Sequence, residues 1–480
     1  MSKKRTEFIT CNQQKNFNMR ALSKFLVFLL LLLVVILQDG QTRPAHKRHA
    51  AVHGHRQHLV SHRHKRHSIA HGHKRHSTTH VHKKHAATLA NKRNTDWSIK
   101  PAEVMSDSLR RTLINSENNR ITNPGQLARL KEKLQQTVSS RKKIVKIVHI
   151  GDSHIQADMM TRVLRLGLQY RYGNAGRGIV FPSQVAKTNG PSDIFSSSNN
   201  GWLSGRLSLM NSPVECGVSG YGLQSNSPNW TLEIGSKPER GDEDAFDVVR
   251  LFTGRNTGCL TMRYNGTEEK EVCMEPGNNF DAAEITLRMK TNAISLARTE
   301  PDSAPFTFYG ASFEKKKATG VIYHSIGVNG AEFESYNRDP LFFDQIAALN
   351  ADCYIISLGT NEAQRQKLNA EDFALQVRTL LTHLRQISPD AVFIITTPAP
   401  SYLNGMTINP KIRTVTEVLA RISNEEKISL WDLYDIIEGD KGLAMFQTYG
   451  LYRPDLIHFN KAGYELQGFM LLSALLKSTL

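Results

Sequence analysis

The sequence predicts an α/β protein with a parallel sheet between two layers of helices and an inserted all-β domain. Buried strand patterns alternate with amphipathic helix patterns before residue 185 and again after residue 319. That alternation is typical of a parallel sheet covered on both faces. From about 185 to 315, short alternating runs are separated by Gly, Asn and Pro. Such spacing predicts an antiparallel sandwich or jelly roll.

The first α/β segment contains one strand between two helices. "NPGQLARLKEKLQQTVSS" predicts a helix with Asn123 as its N-cap and Pro124 in its first turn. "KKIVKIVHI" predicts a buried strand, and "DMMTRVLRLGLQYRYG" predicts a helix that ends near Gly173. "GNAGRG", residues 173–178, is too rich in glycine for a helix. We interpret it as a joint to the insertion or as a loop that faces substrate.

The second α/β segment resumes the same rhythm. "GVIYHSIG", "ADCYIISLG" and "AVFIITTPAP" predict strands. "AEDFALQVRTLLTHLRQI" predicts an amphipathic helix, and "KAGYELQGFMLLSALLKS" predicts the closing helix. The all-β block therefore interrupts the α/β domain after its first strand unit.

The N-terminal region predicts export. Residues 25–37, "FLVFLLLLLVVIL", form an apolar run preceded by Arg20 and Lys24. A full membrane span needs about 20 such residues, so this run predicts a signal-peptide core or a short signal anchor. Translation can start at Met1 or Met19. We expect a periplasmic or cell-envelope location, with an anchor at 25–37 as the alternative to cleavage.

A histidine-rich tract follows the apolar run. Residues 43–85 carry a charge of +11 and hold fourteen of the nineteen histidines, whereas residues 97–480 carry only +1. Four copies of a motif such as "HGHKRH" begin nine residues apart. Without core-forming residues the tract is predicted to be a disordered tether that contacts an anionic wall or membrane surface. Metal capture by paired histidines is the alternative. The nearly neutral body argues against a nucleic-acid partner.

The cysteine pattern allows one disulfide and no zinc motif. Cys259 and Cys273 flank a turn predicted at Asn265-Gly266 and can pair in an oxidising compartment. Cys353 lies in an apolar run and is predicted to be buried. Cys216 is then left without a partner.

Polar residues follow the predicted strands where catalytic groups gather in α/β sheets. "GDSH" places Ser153 after the first strand, "GVNG" places Gly330 after the second, and "GTNE" places Asn361 after the third. Near the C-terminus, Asp455 precedes His458 by three residues, so its carboxylate can reach the imidazole. These residues supply what a nucleophilic serine needs, namely a base, a carboxylate that orients the base, and oxyanion donors.

Together the four blocks resemble those of the SGNH (GDSL-type) hydrolases. "GDSHIQAD" and the β insertion are most similar to the branch that contains bacterial peptidoglycan O-acetylesterases. The resemblance implies a three-layer, flavodoxin-like fold and a jelly-roll domain related to carbohydrate-binding modules. It also implies that Ser153 is the nucleophile, His458 the base and Asp455 its orienting acid. Ser153, Gly330 and Asn361 are implied to form the oxyanion hole.

The resemblance further implies a serine esterase that removes O-acetyl groups from a cell-wall or other acetylated polysaccharide, without metal or cofactor. The alternatives are a non-catalytic glycan-binding protein and a lipase or thioesterase of the same superfamily. Trp202, Tyr221 and Trp230 are interpreted as core aromatics, with stacking on sugars as the alternative. The predicted segments are a signal (1–42), the tether (43–96), the first part of the hydrolase domain (97–184), the insertion (185–315) and the remainder of the hydrolase domain (316–480).

Overall fold

The computed structural model describes residues 106–479 apart from 141–142, 238–240, 242–243, 255–257, 274–281 and 302–303. The predicted signal segment and tether lie outside these residues. No helix in the described part of the chain is long and apolar enough to cross a membrane. The helices are α1 (Asp107–Asn115), α2 (Leu127–Ser139), α3 (Ser153–Gln156), α4 (Met159–Tyr172), α5 (Phe333–Asn337), α6 (Pro340–Ala347), α7 (Thr360–Gln364), α8 (Ala370–Ile387), α9 (Lys411–Glu425), α10 (Leu433–Ile436), α11 (Asp440–Thr448) and α12 (Lys461–Thr479).

The strands belong to one large mixed sheet, one smaller antiparallel sheet and a short hairpin. In chain order they are β1 (Ile144–Gly151), β2 (Asn174–Val180), β3 (Ile194–Ser198), β4 (Leu203–Arg206), β5 (Tyr221–Ser225), β6 (Thr231–Ser236), β7 (Phe246–Thr253), β8 (Cys259–Tyr264), β9 (Glu268–Cys273), β10 (Ala283–Thr291), β11 (Ala293–Arg298), β12 (Phe306–Glu314), β13 (Gly320–Gly327), β14 (Cys353–Ser357), β15 (Val392–Thr396), β16 (Tyr402–Leu403), β17 (Thr407–Ile408) and β18 (Ser429–Trp431).

The central strands are parallel and run in the order β13-β1-β14-β15-β18. Numbered along the chain, this is the 2-1-3-4-5 order of a flavodoxin-like sheet. Helices cover both faces. Leu134, Val163 and Met470 pack on one face, whereas Val377 and Leu419 pack on the other. The predicted three-layer α/β class is confirmed.

The all-β region continues the central sheet. Strand β2 pairs parallel with β13 and antiparallel with β12, which pairs in turn with β7 and β5. A five-stranded sheet, β3-β6-β11-β8-β9, packs over this extension around a core that includes Leu232, Phe246 and Phe313. One sheet of the sandwich is therefore part of the central sheet, and the described residues from 106 onward belong to one compact unit. The boundaries at 185 and 315 stay a prediction.

The glycine-rich segment at 173–178 is not a loop that faces substrate, so that interpretation was wrong. It does join the insertion, but as a strand that pairs with β12 and not as a flexible joint. It forms most of the buried strand β2. Gly176 and Gly178 have φ angles of 144° and 83°. An added Cβ would lie 2.5 Å from the Phe313 carbonyl oxygen at Gly176 and 2.6 Å from the Tyr323 carbonyl oxygen at Gly178. Glycine is required here because the backbone is irregular and the neighbouring strands approach closely.

The disulfide, the hairpin turn and the buried Cys353 lie as the sequence predicts, whereas the predicted N-cap at Asn123 is wrong. Cys259 and Cys273 form a disulfide across the β8–β9 hairpin, as predicted. Asn265 and Gly266 both take positive φ in its turn. Cys216 and Cys353 are buried free thiols. Asn123 does not cap α2 with its side chain, because a 3₁₀ turn lies between them. It takes a left-handed conformation and donates to Ser423 at 2.9 Å.

A buried cluster of four charges joins α4 to the β region. Asp158 accepts from Arg165 and Arg177 at 2.7 Å each, and Asp193 accepts from Arg177 Nε at 2.8 Å. Burial alone would raise the pKa of Asp193, but the charges of Arg177 and Arg165 outweigh it and hold that pKa well below its usual range. The carboxylate is therefore ionised wherever the protein is folded near neutral pH.

Asp193→Asn is expected to destabilise the fold by about 3–5 kcal/mol at pH 7, because it leaves two buried guanidinium groups with one carboxylate. Asp193 binds its proton more weakly when folded, so its stabilisation is complete above its ordinary pKa near 4. It then declines as the pH falls toward the folded-state pKa. Urea unfolding of both proteins between pH 7 and 3 measures the difference. A difference that stays constant over this range would contradict the assignment. Glu269→Gln, in an exposed pair with Arg263, should change stability by about 1 kcal/mol or less.

Candidate active site

The predicted site residues lie where three neighbouring parallel strands end. Strand β1 ends at Gly151, and Ser153 begins α3 two residues later. Strand β13 ends three residues before Gly330, and β14 ends four residues before Asn361. Because the three strands are parallel and adjacent, these loops meet at one edge of the sheet.

Ser153, His458 and Asp455 form a continuous hydrogen-bonded relay. Ser153 Oγ lies 2.8 Å from His458 Nε2, and His458 Nδ1 lies 2.9 Å from Asp455 Oδ2. A carboxylate only accepts, so Nδ1 carries the hydrogen in neutral His458 and Nε2 accepts from the serine hydroxyl. Residues 305 positions apart in the chain are therefore arranged as a nucleophile, a base and an orienting acid.

The loop of residues 455–458 explains the three-residue spacing of acid and base. Asp455 Oδ1 accepts the backbone N–H groups of Ile457 at 2.9 Å and His458 at 2.8 Å. Leu456 takes a φ of 55°, and its carbonyl accepts from the Tyr402 N–H at 3.0 Å. Partial burial would raise the pKa of Asp455, but the two N–H groups and the His458 ring outweigh it and lower that pKa. Asp455 is thus an ionised acceptor for the imidazole.

The candidate oxyanion donors converge from the three loops. As the first residue of α3, Ser153 has no intrahelical acceptor for its N–H. Gly330 has a φ of 75°, and its N–H has no hydrogen-bond partner among the described residues. Asn361 Nδ2 donates to the Ala331 carbonyl at 2.9 Å and, over a longer 3.5 Å, to Asp152 Oδ2, and these two contacts orient the amide. Whether these groups bind an oxyanion stays a prediction.

Asp152 connects the serine loop to the asparagine loop. Its carboxylate is buried, accepts the His154 N–H at 2.9 Å and lies 3.5 Å from Asn361 Nδ2. Burial raises the pKa of Asp152 to about 7, against the lowering effect of its hydrogen bonds, among them one from the Thr360 side chain. By accepting the His154 N–H, the Asp152 side chain caps the N-terminus of α3. The contact with Asn361 spans 209 residues, and no local signal reveals it.

The His154 ring and the Tyr336 hydroxyl support the relay, and neither was assigned a role from the sequence. The His154 ring stacks on that of His458 with centroids 5.0 Å apart, and its Nδ1 lies 3.0 Å from the Tyr464 hydroxyl. Burial and the neighbouring His458 lower the pKa of His154, so its ring stays neutral. Tyr336 donates its hydroxyl to the Gly151 carbonyl at 2.6 Å and thereby holds the strand end that carries the serine.

From the sequence, Trp202, Tyr221 and Trp230 are interpreted as core aromatics, with stacking on sugars as the alternative. In the structure they lie mostly in the core. Trp230 and Tyr221 are buried, and Trp230 stacks on Phe306 with centroids 4.1 Å apart. Trp202 is half-buried and donates its indole N–H to Ser198 Oγ at 2.6 Å. Their packing agrees with the core interpretation and leaves no open ring face on Trp230 for a sugar.

The fold and the four loops are similar to those of the SGNH-type α/β hydrolases. The model of the GDSL-like lipase/acylhydrolase family matches residues 299–466. This match confirms the prediction of an ester hydrolase. The match includes Gly330, Asn361, Asp455 and His458, whereas Ser153 lies before it.

The structure is similar to that of a peptidoglycan O-acetylesterase, with a TM-score of 0.64 and 21% identity. The similarity covers 75% of this chain and 99% of that chain. A lipase/acylhydrolase from Enterococcus faecalis matches 32% of this chain at 20% identity and covers 74% of its own, with a TM-score of 0.25. A Geobacillus acetyl-xylooligosaccharide esterase matches 33% at 16% identity and covers 73% of its own, with a TM-score of 0.26. No curated protein sequence matches this chain.

Proposed function

We propose that this protein is an exported serine esterase that removes O-acetyl groups from an acetylated polysaccharide, with peptidoglycan as the favoured substrate. The observation that carries the proposal is the hydrogen-bonded relay of Ser153, His458 and Asp455 at the edge of the sheet. The fold shared with a peptidoglycan O-acetylesterase supports the choice of substrate. The intact relay favours an enzyme over a non-catalytic glycan-binding protein.

The chemistry proceeds through an acyl-enzyme. Ser153 Oγ attacks the acetyl carbonyl carbon while His458 Nε2 takes the hydroxyl proton, and Asp455 stabilises the resulting imidazolium. The N–H groups of Ser153, Gly330 and Asn361 bind the oxyanion of the tetrahedral intermediate. His458 then gives its proton to the departing sugar oxygen. Water, activated by the same imidazole, attacks the acetyl-serine and releases acetate.

Acetate release from two polymers tests the substrate. We expect roughly tenfold or higher kcat/KM on O-acetylated peptidoglycan than on acetylated xylan, because a site shaped for one glycan discriminates in the transition state. Ser153→Ala protein controls for contaminating esterases. A preference for xylan would overturn the peptidoglycan assignment, and a preference for long-chain acyl esters over both polymers would favour the lipase or thioesterase alternative.

The histidine-rich tract, residues 43–85, is proposed to hold the exported enzyme against an anionic wall polymer or membrane surface. Its support is the charge of +11 without an acidic residue, next to a nearly neutral body. Salt screens such attraction, so binding through the tract should weaken as ionic strength rises.

Deletion of residues 43–85 is expected to reduce retention on anionic wall material and to leave hydrolysis of p-nitrophenyl acetate unchanged. Retention of the full chain should fall between 0.05 and 0.5 M salt, roughly the range over which the Debye length drops below 5 Å. If the deletion leaves retention intact but removes Zn²⁺ binding, the tract is a metal-binding segment instead.

A further inference from the structure

A polar groove beside the candidate active site has no role in the proposed acetyl-transfer chemistry. Its cavity of about 440 Å³ lies where α5, α7 and the start of α8 meet. That volume is in the range of small-ligand pockets. The charged residues in its wall define the side groove, and they are Glu332, Glu334, Glu362, Arg365, Lys367 and Asp372.

The side groove adjoins both loops that supply the oxyanion candidates from β13 and β14. Glu332 follows Gly330 by two residues, and Glu362 directly follows Asn361. Ala331, between Gly330 and Glu332, accepts the hydrogen bond that orients Asn361. The residues of the side groove are therefore close in sequence to two of the oxyanion candidates.

Glu362 is a buried carboxyl that lacks a full set of partners. The residue is 5% exposed, and its Oε1 accepts the Phe333 N–H at 2.8 Å. Its Oε2 has no hydrogen-bond partner among the described residues. Burial raises the pKa of Glu362 to about 8, against the lowering effect of the Phe333 N–H. Buried carboxyl oxygens without a partner are rare, and each one calls for an explanation such as a functional role or a bound group.

The charges of the side groove are of both signs. Arg365 is held by Glu332 Oε1 at 2.7 Å and by Glu334 Oε2 at 2.8 Å, so these three charges largely satisfy one another. Lys367 and Asp372 are exposed at the rim, and neither forms an ion pair within the described part of the chain. Lys367 and Asp372, without ion pairs among the described residues, thus line the same groove as Glu362, whose Oε2 lacks a partner, and this suits a ligand that carries charges of both signs.

We propose that the side groove binds a short peptide attached to the acetylated glycan, with Asp372 and Glu362 facing its amine or amide N–H groups and Lys367 facing a carboxylate. The proposal rests on the proposed function, because a peptide-substituted glycan such as peptidoglycan presents charges of both signs beside an ester. A neutral glycan such as xylan lacks both charges. The side groove would therefore distinguish substrates by what the sugar carries and not by the ester itself.

Two soluble substrates test the proposal, namely O-acetylated glycan fragments that retain their peptides and the same fragments after enzymatic removal of the peptides. Lys367→Ala and Asp372→Asn should each raise KM about tenfold on the peptide-bearing fragments with little change in kcat. Neither variant should affect the stripped fragments or p-nitrophenyl acetate. Glu371→Gln is the matched control, because Glu371 precedes Asp372 on α8 but pairs with Arg421.

The outcomes separate this proposal from the proposed function. If wild-type protein releases acetate equally well from both fragments, or if both rim variants leave KM on the peptide-bearing fragments unchanged, the peptide site is wrong while the esterase assignment stands. If wild-type protein hydrolyses p-nitrophenyl acetate but neither fragment, the proposed substrate is wrong. Binding of a peptide-bearing fragment to the Ser153→Ala protein, measured by calorimetry and weakened by Lys367→Ala, would still support the side groove in that case.

Discussion

Ser153→Ala is expected to lower kcat for acetyl-ester hydrolysis by about 10⁴- to 10⁶-fold, a larger loss than we expect from any oxyanion-donor or side-groove variant. The reason is geometric: the hydroxyl 2.8 Å from His458 Nε2 is the only nucleophile on the relay. Hydrolysis of p-nitrophenyl acetate measures the loss. Binding of the polymer should persist, since the substitution removes one oxygen and leaves the surrounding loops in place.

His458→Ala should produce a loss similar to that of Ser153→Ala, and the double variant should be little worse than either one. Residues that act as a unit are strongly non-additive, because removing one disables the others. Multiplication of the two losses in the double variant would mean that Ser153 and His458 do not share one mechanism. Circular dichroism of each variant checks that the fold is unchanged.

Asn361→Ala is expected to lower kcat by about 10²–10³-fold with little change in KM, because it removes a donor that matters only when the oxyanion forms. The amide is held for this purpose by the Ala331 carbonyl at 2.9 Å. Steady-state kinetics on p-nitrophenyl acetate separates the two constants.

Asn361→Asp supplies the matched comparison for the oxyanion donor. It keeps the size of the side chain but replaces the N–H donor with a second oxygen, so its loss in kcat should be at least as large as that of the alanine variant. An effect of either variant on KM alone would move Asn361 from oxyanion stabilisation to substrate binding.

Several features of this protein follow from the sequence alone because they depend on short-range patterns. Apolar runs such as 144–150 predict strands, and the residues directly after them predict the edge of the sheet at which Ser153 and Asn361 lie. The hairpin turn at Asn265-Gly266 predicts that Cys259 and Cys273 face one another. The Asp455–His458 spacing predicts a local contact, and the structure brings these two side chains within 2.9 Å. Each prediction needed only residues that are close together in the chain.

Contacts between distant segments were decided by the tertiary structure. The glycines of β2 look unsuited to a strand until Phe313 and Tyr323 of its two neighbours are seen to leave no room for a Cβ. Likewise, the sequence separates the β region from the α/β region, whereas β2 and β12 join them in one sheet. Hydrogen bonding between strands is set by register and partner choice, which hydrophobic periodicity does not encode.

Buried polar groups show most clearly that the sequence does not reveal contacts between distant segments. No local sequence pattern marks Asp158 and Asp193 as buried, yet they neutralise two buried arginines. Glu362 looks like a residue in the first turn of a helix, yet it is buried with an unpartnered oxygen beside the side groove. The sequence determined which residues were available for chemistry. Only the folded chain decided which charges face one another, because the pKa and pairing of a group depend on burial and on neighbours that are remote along the chain.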